Sequence, residues 1–299
     1  MNLSEKTYWN VGGSCSSFFE TNTESELQKV LTYNDISDLI VIGNGTNLLF
    51  DSEGYSGVVI KLGKSFNFIN NRLSNNTVEV GASVWVPGLV RKLSTLGKGS
   101  LDHCVGIPAT VGGLVAMNGG SQRRSISENI VSVKVMDFEG VISTIPVEKC
   151  LFSYRDSIFL KEKLIILSVV LKLEEIVPKS NRKNLLNILK ERRLKFPRKE
   201  PNCGSVFKSS KELYDKVGPP GFIIESLGLK GLTIGNAQIS SKHANFIVNK
   251  GGAHSRDIIK LVKYINKCCF EKYEFTMEAE AIYIESTGKR YLIHRAPDK

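Results

Sequence analysis

The chain has no long apolar run and few residues of the kinds that build metal or disulfide sites. It contains no stretch of about 18 apolar residues, which excludes an ordinary membrane-spanning helix. Its first ten residues show neither the basic nor the apolar part of a secretory leader. The six cysteines form no C-x-x-C pair and the four histidines are scattered, so the usual zinc spacings are missing. We therefore expect reduced thiols, no metal site and a cytoplasmic location.

Length and charge set the next bounds. With 299 residues, 41% of them hydrophobic, the chain is long enough for two or three compact cores. Its net charge is +10, and the segment from Lys179 to Lys216 alone carries twelve basic and four acidic residues, an excess of eight. A segment of this kind fits a nucleic acid, an anionic membrane surface or an acidic small molecule.

Helical and strand patterns are mixed along the chain. Capping-box spacing at residues 23–26 predicts the start of a short helix. The apolar run at residues 39–42 predicts a buried strand. Further strands are predicted at residues 58–62, 77–82, 130–138, 141–145, 164–173 and 275–284. Those at 130–138 and 141–145 should form a hairpin that turns at Gly140. Further helices are predicted at residues 86–96, 184–194 and 255–270, and the main domain boundary is expected near Pro178.

Two glycine-bearing turns, about 60 residues apart, are candidate cofactor sites. The segment from Gly43 to Leu49 exposes backbone N–H groups and adds the Thr46 and Asn47 side chains, which suits a phosphate. It is not a Rossmann fingerprint, because Leu48 takes the place of the third glycine, and no P-loop lysine follows. Taken alone, the segment is better explained as a plain turn at a strand end. The second turn covers residues 106–113.

Three polar clusters are candidates for chemistry. In residues 153–157, Arg155 could hold a carboxylate with two hydrogen bonds, although a surface loop is the simpler interpretation. Residues 203–208 place the Ser205 hydroxyl beside a glycine, with no histidine close in sequence to suggest a hydrolase. The period of two along residues 275–284 puts Glu278 and Glu280 on one face of the predicted strand.

Taken in order, these segments resemble one enzyme family over nearly the whole chain. Residues 43–49 and 106–113 resemble the flavin-contacting turns of the vanillyl-alcohol-oxidase type of FAD domain. Four later segments resemble the signature of the UDP-N-acetylenolpyruvoylglucosamine reductase (MurB) family, in its shorter type without a tyrosine-loop insertion. These are residues 154–157, 204–208, 243–249 and 277–280.

The resemblance implies an α+β fold with a vanillyl-alcohol-oxidase-type (PCMH-type) FAD-binding domain. Its two subdomains would be residues 1–63 and 64–177, followed by a substrate-binding domain at residues 178–299. The implied reaction is the NADPH-dependent, FAD-mediated reduction of UDP-N-acetylglucosamine enolpyruvate to UDP-N-acetylmuramate, a step of peptidoglycan precursor synthesis. FAD would be bound non-covalently. The resemblance also implies a monomer that acts on this nucleotide sugar and not on nucleic acid or membranes.

Carried over by motif, Ser205 would be the proton donor, with Arg155 and Glu280 stabilising the enolate; Glu280 is preferred to Glu278 because the family uses the second acid of the motif. The implied substrate contacts are Tyr154, Arg193 and Lys208. The implied flavin contacts are Gly43, Asn44, Gly45, Thr46, Asn47, Leu48, Gly106, Ile107, Pro108, Thr110, Gly112, Gly113 and Asn118.

The chain departs from the family pattern at three places. Ala109 stands where a glycine is usual, Ser209 where an asparagine is usual, and residues 119–122 replace a common Ala-Gly-Ala-Tyr. Two other functions stay open at this point. A flavin oxidase of the same fold group is opposed by the ordered set of Arg155, Ser205 and Glu280. A nucleic-acid-binding protein would suit the basic segment but leaves the glycine turns unexplained.

Overall fold

The chain forms two compact units, each assembled from separated stretches. The computed structural model describes residues 1–34, 38–70, 76–209 and 211–298. The first unit comprises residues 1–17, 45–57 and 193–299, and the second comprises residues 18–44 and 58–192. Both contain helices and sheets, which confirms the predicted α+β class. No helix within the described ranges is long and apolar enough to cross a bilayer.

The secondary structure alternates along the chain. The strands are β1 (Cys15–Thr21), β2 (Leu39–Ile42), β3 (Leu48–Phe50), β4 (Tyr55–Leu62), β5 (Ile69–Asn70), β6 (Thr77–Gly81), β7 (Ile130–Asp137), β8 (Ile142–Pro146), β9 (Leu164–Lys172), β10 (Thr233–Ile234), β11 (Ala237–Ile239), β12 (Ile247–Asn249), β13 (Ile282–Ile284) and β14 (Arg290–Leu292). The α-helices are α1 (Glu24–Tyr33), α2 (Val86–Thr95), α3 (Val111–Ala116), α4 (Pro178–Lys195), α5 (Lys211–Lys216), α6 (Pro220–Ser226) and α7 (Ser255–Tyr273).

Local signals explain several elements of the second unit. The Thr23 hydroxyl accepts the backbone N–H of Glu26 at 3.0 Å, and the Glu26 carboxylate accepts the N–H of Asn22 at 2.7 Å, so α1 begins where the capping spacing predicts. The hairpin of β7 and β8 turns at Gly140, whose φ is +84°. The Asp137 carboxylate closes this turn by accepting the N–H of Val141 at 2.8 Å.

The main sheet of the second unit has the strand order β5-β6-β9-β7-β8 with antiparallel pairing throughout. A smaller sheet has the order β1-β4-β2, in which β2 runs parallel to β4. The core is built on β9, α2 and α3, and it also takes in Leu185 and Ile188 of α4. The predicted helix at 184–194 therefore begins earlier, at Pro178, a residue suited to a first helical turn. Along the chain, the second unit ends at Arg192 and the first unit resumes at Arg193, both within α4. The predicted domain boundaries after residues 63 and 177 stay a prediction.

The first unit has two small sheets around α7. Strands β10, β11 and β12 form an antiparallel sheet, and the other has the order β14-β13-β3, with β13 parallel to β3. The core centres on Ile258, Leu261 and Ile265 of α7. The buried Trp9 belongs to the same core, and its indole N–H donates to the carbonyl of Ile247 at 2.8 Å.

The strand predicted at residues 275–284 is too long by more than half. Only Ile282–Ile284 forms a ladder strand, and the preceding residues are extended with a single bridge between Phe207 and Ala279. The predicted alternation of faces is nevertheless confirmed, because Met277 and Ala279 are buried while Glu278 is exposed. Apart from this bridge, the backbone of residues 277–280 is bound by side chains, so no regular ladder forms.

Candidate active site

The structure brings the two glycine turns together within the second unit. The Asn44 side-chain N–H donates to the carbonyl of Pro108 at 3.0 Å. A Cβ atom added to Gly43 would lie 2.3 Å from the Thr110 hydroxyl, far inside van der Waals contact. Glycine is therefore required at position 43 because of the close approach of the second turn.

The turn after β2 offers backbone donors. Gly45 has φ +61°, in the left-handed region that favours glycine. Among the described residues, the N–H groups of Asn44, Gly45 and Thr46 have no backbone or side-chain acceptor. Three successive N–H groups of this kind suit the negatively charged oxygens of a diphosphate. Leu48, another predicted contact, already begins β3 and is half-buried.

Asn47, a predicted flavin contact, binds the backbone of the 277–280 segment. Its side-chain N–H donates to the carbonyl of Glu280 at 3.0 Å, and its own carbonyl accepts the N–H of Ile282 at 3.0 Å. Within the first unit, Asn47 thus holds the backbone of a predicted catalytic residue.

The second predicted turn, residues 106–113, is a turn only in its first half. From Val111 onward the chain is helical in α3, and the Thr110 hydroxyl caps this helix by accepting the N–H of Gly113 at 3.3 Å. The N–H groups of Val111 and Gly112 donate to the carbonyls of Val84 and Ala82, at 2.9 and 2.8 Å. The N–H groups at the start of α3 therefore already have acceptors within the protein.

What this segment does present is a half-exposed surface with few side chains. Gly106, Ile107, Pro108, Gly112 and Gly113 are all half-exposed. A Cβ atom added to Gly113 would contact only the Thr110 hydroxyl oxygen, which caps this helix, at 3.4 Å. A flat ligand can lie against such a surface, and the Asn44 N–H in the same unit can bind a phosphate oxygen, so the residues present fit a flavin dinucleotide.

Arg155 is held in a strained conformation. Its φ is +57°, unusual for a non-glycine residue, and such strain is often found at functional sites. Its guanidinium donates to the carbonyls of Asn118 and Gly120, at 3.4 and 3.2 Å. Asn118 is buried, and its side chain donates to the Ser153 carbonyl at 2.8 Å, which ties the two loops together. The structure therefore brings the predicted residues Asn118 and Arg155 into contact.

Positive charge converges near Arg155. Burial raises the pKa of the neighbouring Cys104 thiol to about 12. Three guanidinium groups lie close enough to oppose that shift, those of Arg124, Arg155 and Arg192. A Cβ on Gly106 would lie 2.2 Å from Nε of Arg192, so this side chain lies directly over the predicted flavin turn. Neither Arg124 nor Arg192 is among the predicted site residues, and no local signal distinguishes Arg192 from its neighbour Arg193.

The segment that carries Ser205 is an extended strand-like piece of the first unit. The Asn245 side chain accepts the N–H of Phe207 and donates to its carbonyl, both at 2.9 Å. On the other side, the N–H of Glu280 donates to the carbonyl of Val206 at 2.8 Å. Asn245 belongs to the predicted 243–249 signature, and its role here is to hold the backbone beside Ser205.

Ser205 follows Gly204, whose φ is +87°, and a Cβ added there would meet nothing within 4 Å. The Ser205 side chain is half-buried. Burial, followed by the charge of Glu280, raises the pKa of the Cys203 thiol well above its usual range. Cys203 is therefore a protonated thiol and not a nucleophile, and Glu280 lies near the residues that flank Ser205.

The two acids of the 277–280 segment differ in their surroundings. Glu278 is exposed and binds the Lys208 ammonium at 2.9 Å, whereas Glu280 is half-buried. This difference supports the preference for Glu280. Lys208, a predicted substrate contact, is in this ion pair. Arg193 and Tyr154 are both exposed, and the Tyr154 ring lies 5.3 Å from the Arg155 guanidinium.

The structure shows the surroundings of the three positions that depart from the family pattern. Ala109 is buried and does not have a positive φ, so its conformation does not need glycine. Ser209 is half-buried after Lys208. In the 119–122 loop, the Ser121 hydroxyl donates to the carbonyl of His103 at 2.5 Å. Gly120 has no room for a side chain, because a Cβ there would lie 1.9 Å from the Arg124 carbonyl oxygen.

Comparison with known proteins gives matches across the chain. Residues 16–145 match the model of the FAD binding domain, and residues 196–284 match that of the UDP-N-acetylenolpyruvoylglucosamine reductase C-terminal domain. The chain is 40% identical to UDP-N-acetylenolpyruvoylglucosamine reductase 1 of Corynebacterium glutamicum, over 100% of the chain and 89% of that protein. It is 34% identical to the reductase of Prochlorococcus marinus, over 94% of the chain and 95% of that protein. The crystal structure of the reductase (MurB) from Thermus caldophilus matches with a TM-score of 0.80 and 30% identity, covering 95% of the chain and 97% of that structure.

Proposed function

The chain belongs to the family of UDP-N-acetylenolpyruvoylglucosamine reductases, and from this we propose that it reduces UDP-N-acetylglucosamine enolpyruvate to UDP-N-acetylmuramate with NADPH. The observation that carries the proposal is the identity over the full chain, within which Arg155, Ser205 and Glu280 stand in the order of the family signature. The product is a precursor of peptidoglycan.

FAD is the cofactor of this family, and the match of residues 16–145 to the FAD binding domain confirms the predicted cofactor and fold. When bound, the flavin supplies hydride transfer from NADPH to the terminal carbon of the enolpyruvyl group. Within the second unit, the surface at residues 106–113 and the Asn44 N–H support non-covalent binding of the flavin. Gly43 and Thr110 would keep the two turns in place.

Ser205 acts in this proposal as the proton donor. Hydride addition to the terminal carbon places negative charge on the adjacent carbon and its carboxylate. A proton delivered to that adjacent carbon gives the lactyl ether, so one hydride and one proton complete the reduction. A serine hydroxyl is a weak acid, and a protonated Glu280 would help it by hydrogen bonding. An ionised Glu280 in the substrate-bound enzyme would exclude this assistance.

Arg155 polarises the substrate carboxylate. A guanidinium stabilises the negative charge that develops there, and its two carbonyl contacts hold it in a fixed orientation before the reaction begins. Tyr154, Arg193 and Lys208 bind the remainder of the substrate, which carries about three negative charges. We propose that the enzyme works as a monomer in the cytoplasm.

The proposal is tested by visible absorption spectra of the purified protein under anaerobic conditions. NADPH should bleach the flavin bands, and addition of UDP-N-acetylglucosamine enolpyruvate should restore them with formation of UDP-N-acetylmuramate. Flavin that is reduced by NADPH but not reoxidised by the enolpyruvyl sugar would refute the substrate assignment. Rapid reoxidation by oxygen with a sugar alcohol as the only electron donor would indicate an oxidase instead.

A further inference from the structure

The side chain of His294 binds a backbone N–H, that of Ala279, which has no strand carbonyl opposite it in the described part of the chain. It lies in the 3₁₀ helix Ile293–Arg295, directly after β14. Strand β14 pairs with β13, and the N–H of Ile293 donates to the carbonyl of Ala281 at 2.9 Å. Beyond this point the chain turns, so the buried N–H of Ala279 no longer faces a carbonyl. Nδ1 of His294 accepts this N–H at 3.1 Å.

Other side chains hold the same segment. Asn266 of α7 binds both backbone groups of Met277, accepting its N–H at 2.9 Å and donating to its carbonyl at 3.0 Å. The backbone of Glu280 is bound at its N–H by Val206 and at its carbonyl by Asn47. The Glu278 carbonyl accepts the backbone N–H of Lys208 at 2.9 Å. Side chains thus bind four backbone groups of residues 277–280, and the backbone of residues 206–208 binds two.

Among these partners, His294 is the one whose side chain can ionise, and its bond is to the residue directly before Glu280. We propose that His294 is a positioning residue for Glu280, because its Nδ1 fixes the Ala279 backbone and thereby the direction in which the Glu280 carboxyl points. The inference rests on the proposed function, in which Glu280 assists proton transfer from Ser205.

The bond requires a neutral ring. Nδ1 can accept a hydrogen bond only when the ring proton is on Nε2, and the imidazolium has no acceptor. Burial lowers the pKa of His294, with Arg295 and Lys208 acting in the same direction and Glu278 opposing them. A lowered pKa favours the neutral ring at neutral pH, and protonation of Nδ1 by acid breaks its bond to the Ala279 N–H.

Two substitutions of His294 distinguish the hydrogen-bond acceptor from the ionisable imidazole ring. Asn places a side-chain oxygen near the position of Nδ1 and cannot be protonated in this pH range, whereas Leu has no acceptor. In single-turnover measurements, His294→Leu should slow flavin reoxidation by the enolpyruvyl sugar roughly 10- to 100-fold, because a shift of a catalytic group by about 1 Å can cost this much. Flavin content and the rate of flavin reduction by NADPH should stay at the wild-type level.

The Asn variant tests the acceptor directly. His294→Asn should retain the reoxidation rate within about threefold and should lack the fall in rate that the wild type shows as acid protonates His294. His254→Asn, a change at the exposed histidine that caps the start of α7, should keep the wild-type pH profile. Equal rates in the wild type and His294→Leu, or equal losses in both His294 variants, would overturn the inference.

A double mutant separates positioning of Glu280 from a general effect on the unit. In a Glu280→Gln background, His294→Leu should slow reoxidation by no more than about a further twofold, because both changes act through one group. A full additional loss would contradict the inference. If His294→Leu fails to fold, the pH profile of His294→Asn still decides. If the wild type itself is not reoxidised by the enolpyruvyl sugar, the proposed function fails first.

Discussion

Ser205 is the residue on which proton delivery depends in the proposed reaction, and its Oγ is the only atom that Ser205→Ala removes. This substitution should leave flavin reduction by NADPH unchanged and should slow reoxidation by the enolpyruvyl sugar by roughly 10²–10⁴-fold, the usual contribution of a positioned acid. Stopped-flow absorption of the two half-reactions measures both effects. Thr233→Ala removes an exposed hydroxyl of the same unit and serves as the control. Unchanged reoxidation in Ser205→Ala would exclude Ser205 as the donor.

His103 is a buried histidine that the proposed reaction does not use. It is 1% exposed, and neither ring nitrogen has a hydrogen-bond partner among the described residues, although the Ser100 backbone lies nearby. Because buried polar groups without partners are costly, His103→Phe should increase the free energy of unfolding by about 1–3 kcal/mol at pH 8. Urea denaturation measures this difference.

The same variant has a pH signature. Burial, with the charge of Arg124, lowers the pKa of His103 from the ordinary value of 6.5. As pH falls below 6.5 the unfolded chain therefore takes up more protons than the folded one, and the wild type loses stability. The advantage of His103→Phe should consequently grow between pH 7 and pH 5. A constant difference across this range would contradict the prediction.

At the scale of elements, the contact between Gly43, after β2, and Thr110, at the start of α3, is the most sensitive point of the cofactor region. Gly43→Ala should lower the flavin content of the purified protein, because its Cβ would push the Thr110 hydroxyl away from the Gly113 N–H that it caps and would separate the two turns. Absorbance per protein chain measures the flavin. Thr110→Ala should partly restore flavin binding in the Gly43→Ala protein, since it removes the atom in conflict. Failure of this rescue would show that the effect is not steric.

Elements with strong local signals were predictable from the sequence. The capping residues around α1 and the glycine between β7 and β8 act on neighbours a few residues away, and both elements are confirmed. The strand predicted at 275–284 failed because its hydrogen-bond partners are side chains from distant positions, such as Asn47 and Asn266. The period of two reports only which side chains are buried, and that part of the prediction is confirmed.

The candidate site shows the same limit. The resemblance supplied the residue names, and the match to family models confirms the family and cofactor. Sequence reasoning could not show that the turns at Gly43 and Thr110 meet, because this depends on tertiary packing. It also could not show that Arg192 lies over Gly106, and the choice of the neighbouring Arg193 as a substrate contact stays a prediction. Adjacent helical residues point about 100° apart, so only the position of α4 decides between them.

At the scale of the whole molecule, charge is concentrated and not spread evenly. The net charge is +10, and α4 alone carries seven basic residues against one acidic residue. Lys183 and Lys190 are exposed on this helix, and no ion pair is formed by either within the described ranges. An excess of one sign attracts oppositely charged ligands over distances near the Debye length, which is about 30 Å at 0.01 M salt and 8 Å at 0.15 M.

A substrate with about three negative charges should therefore bind faster at low salt. We expect kcat/KM for the enolpyruvyl sugar to fall as NaCl rises from about 0.01 to 0.15 M, with kcat nearly constant, because salt screens the approach and not the chemistry. The double variant Lys183→Glu/Lys190→Glu should have a lower kcat/KM at low salt and a shallower dependence on salt. Lys260→Glu/Lys267→Glu changes the net charge equally on exposed positions of α7 and is the matched control. If both double variants lose kcat/KM to the same extent, total charge and not the basic face of α4 attracts the substrate.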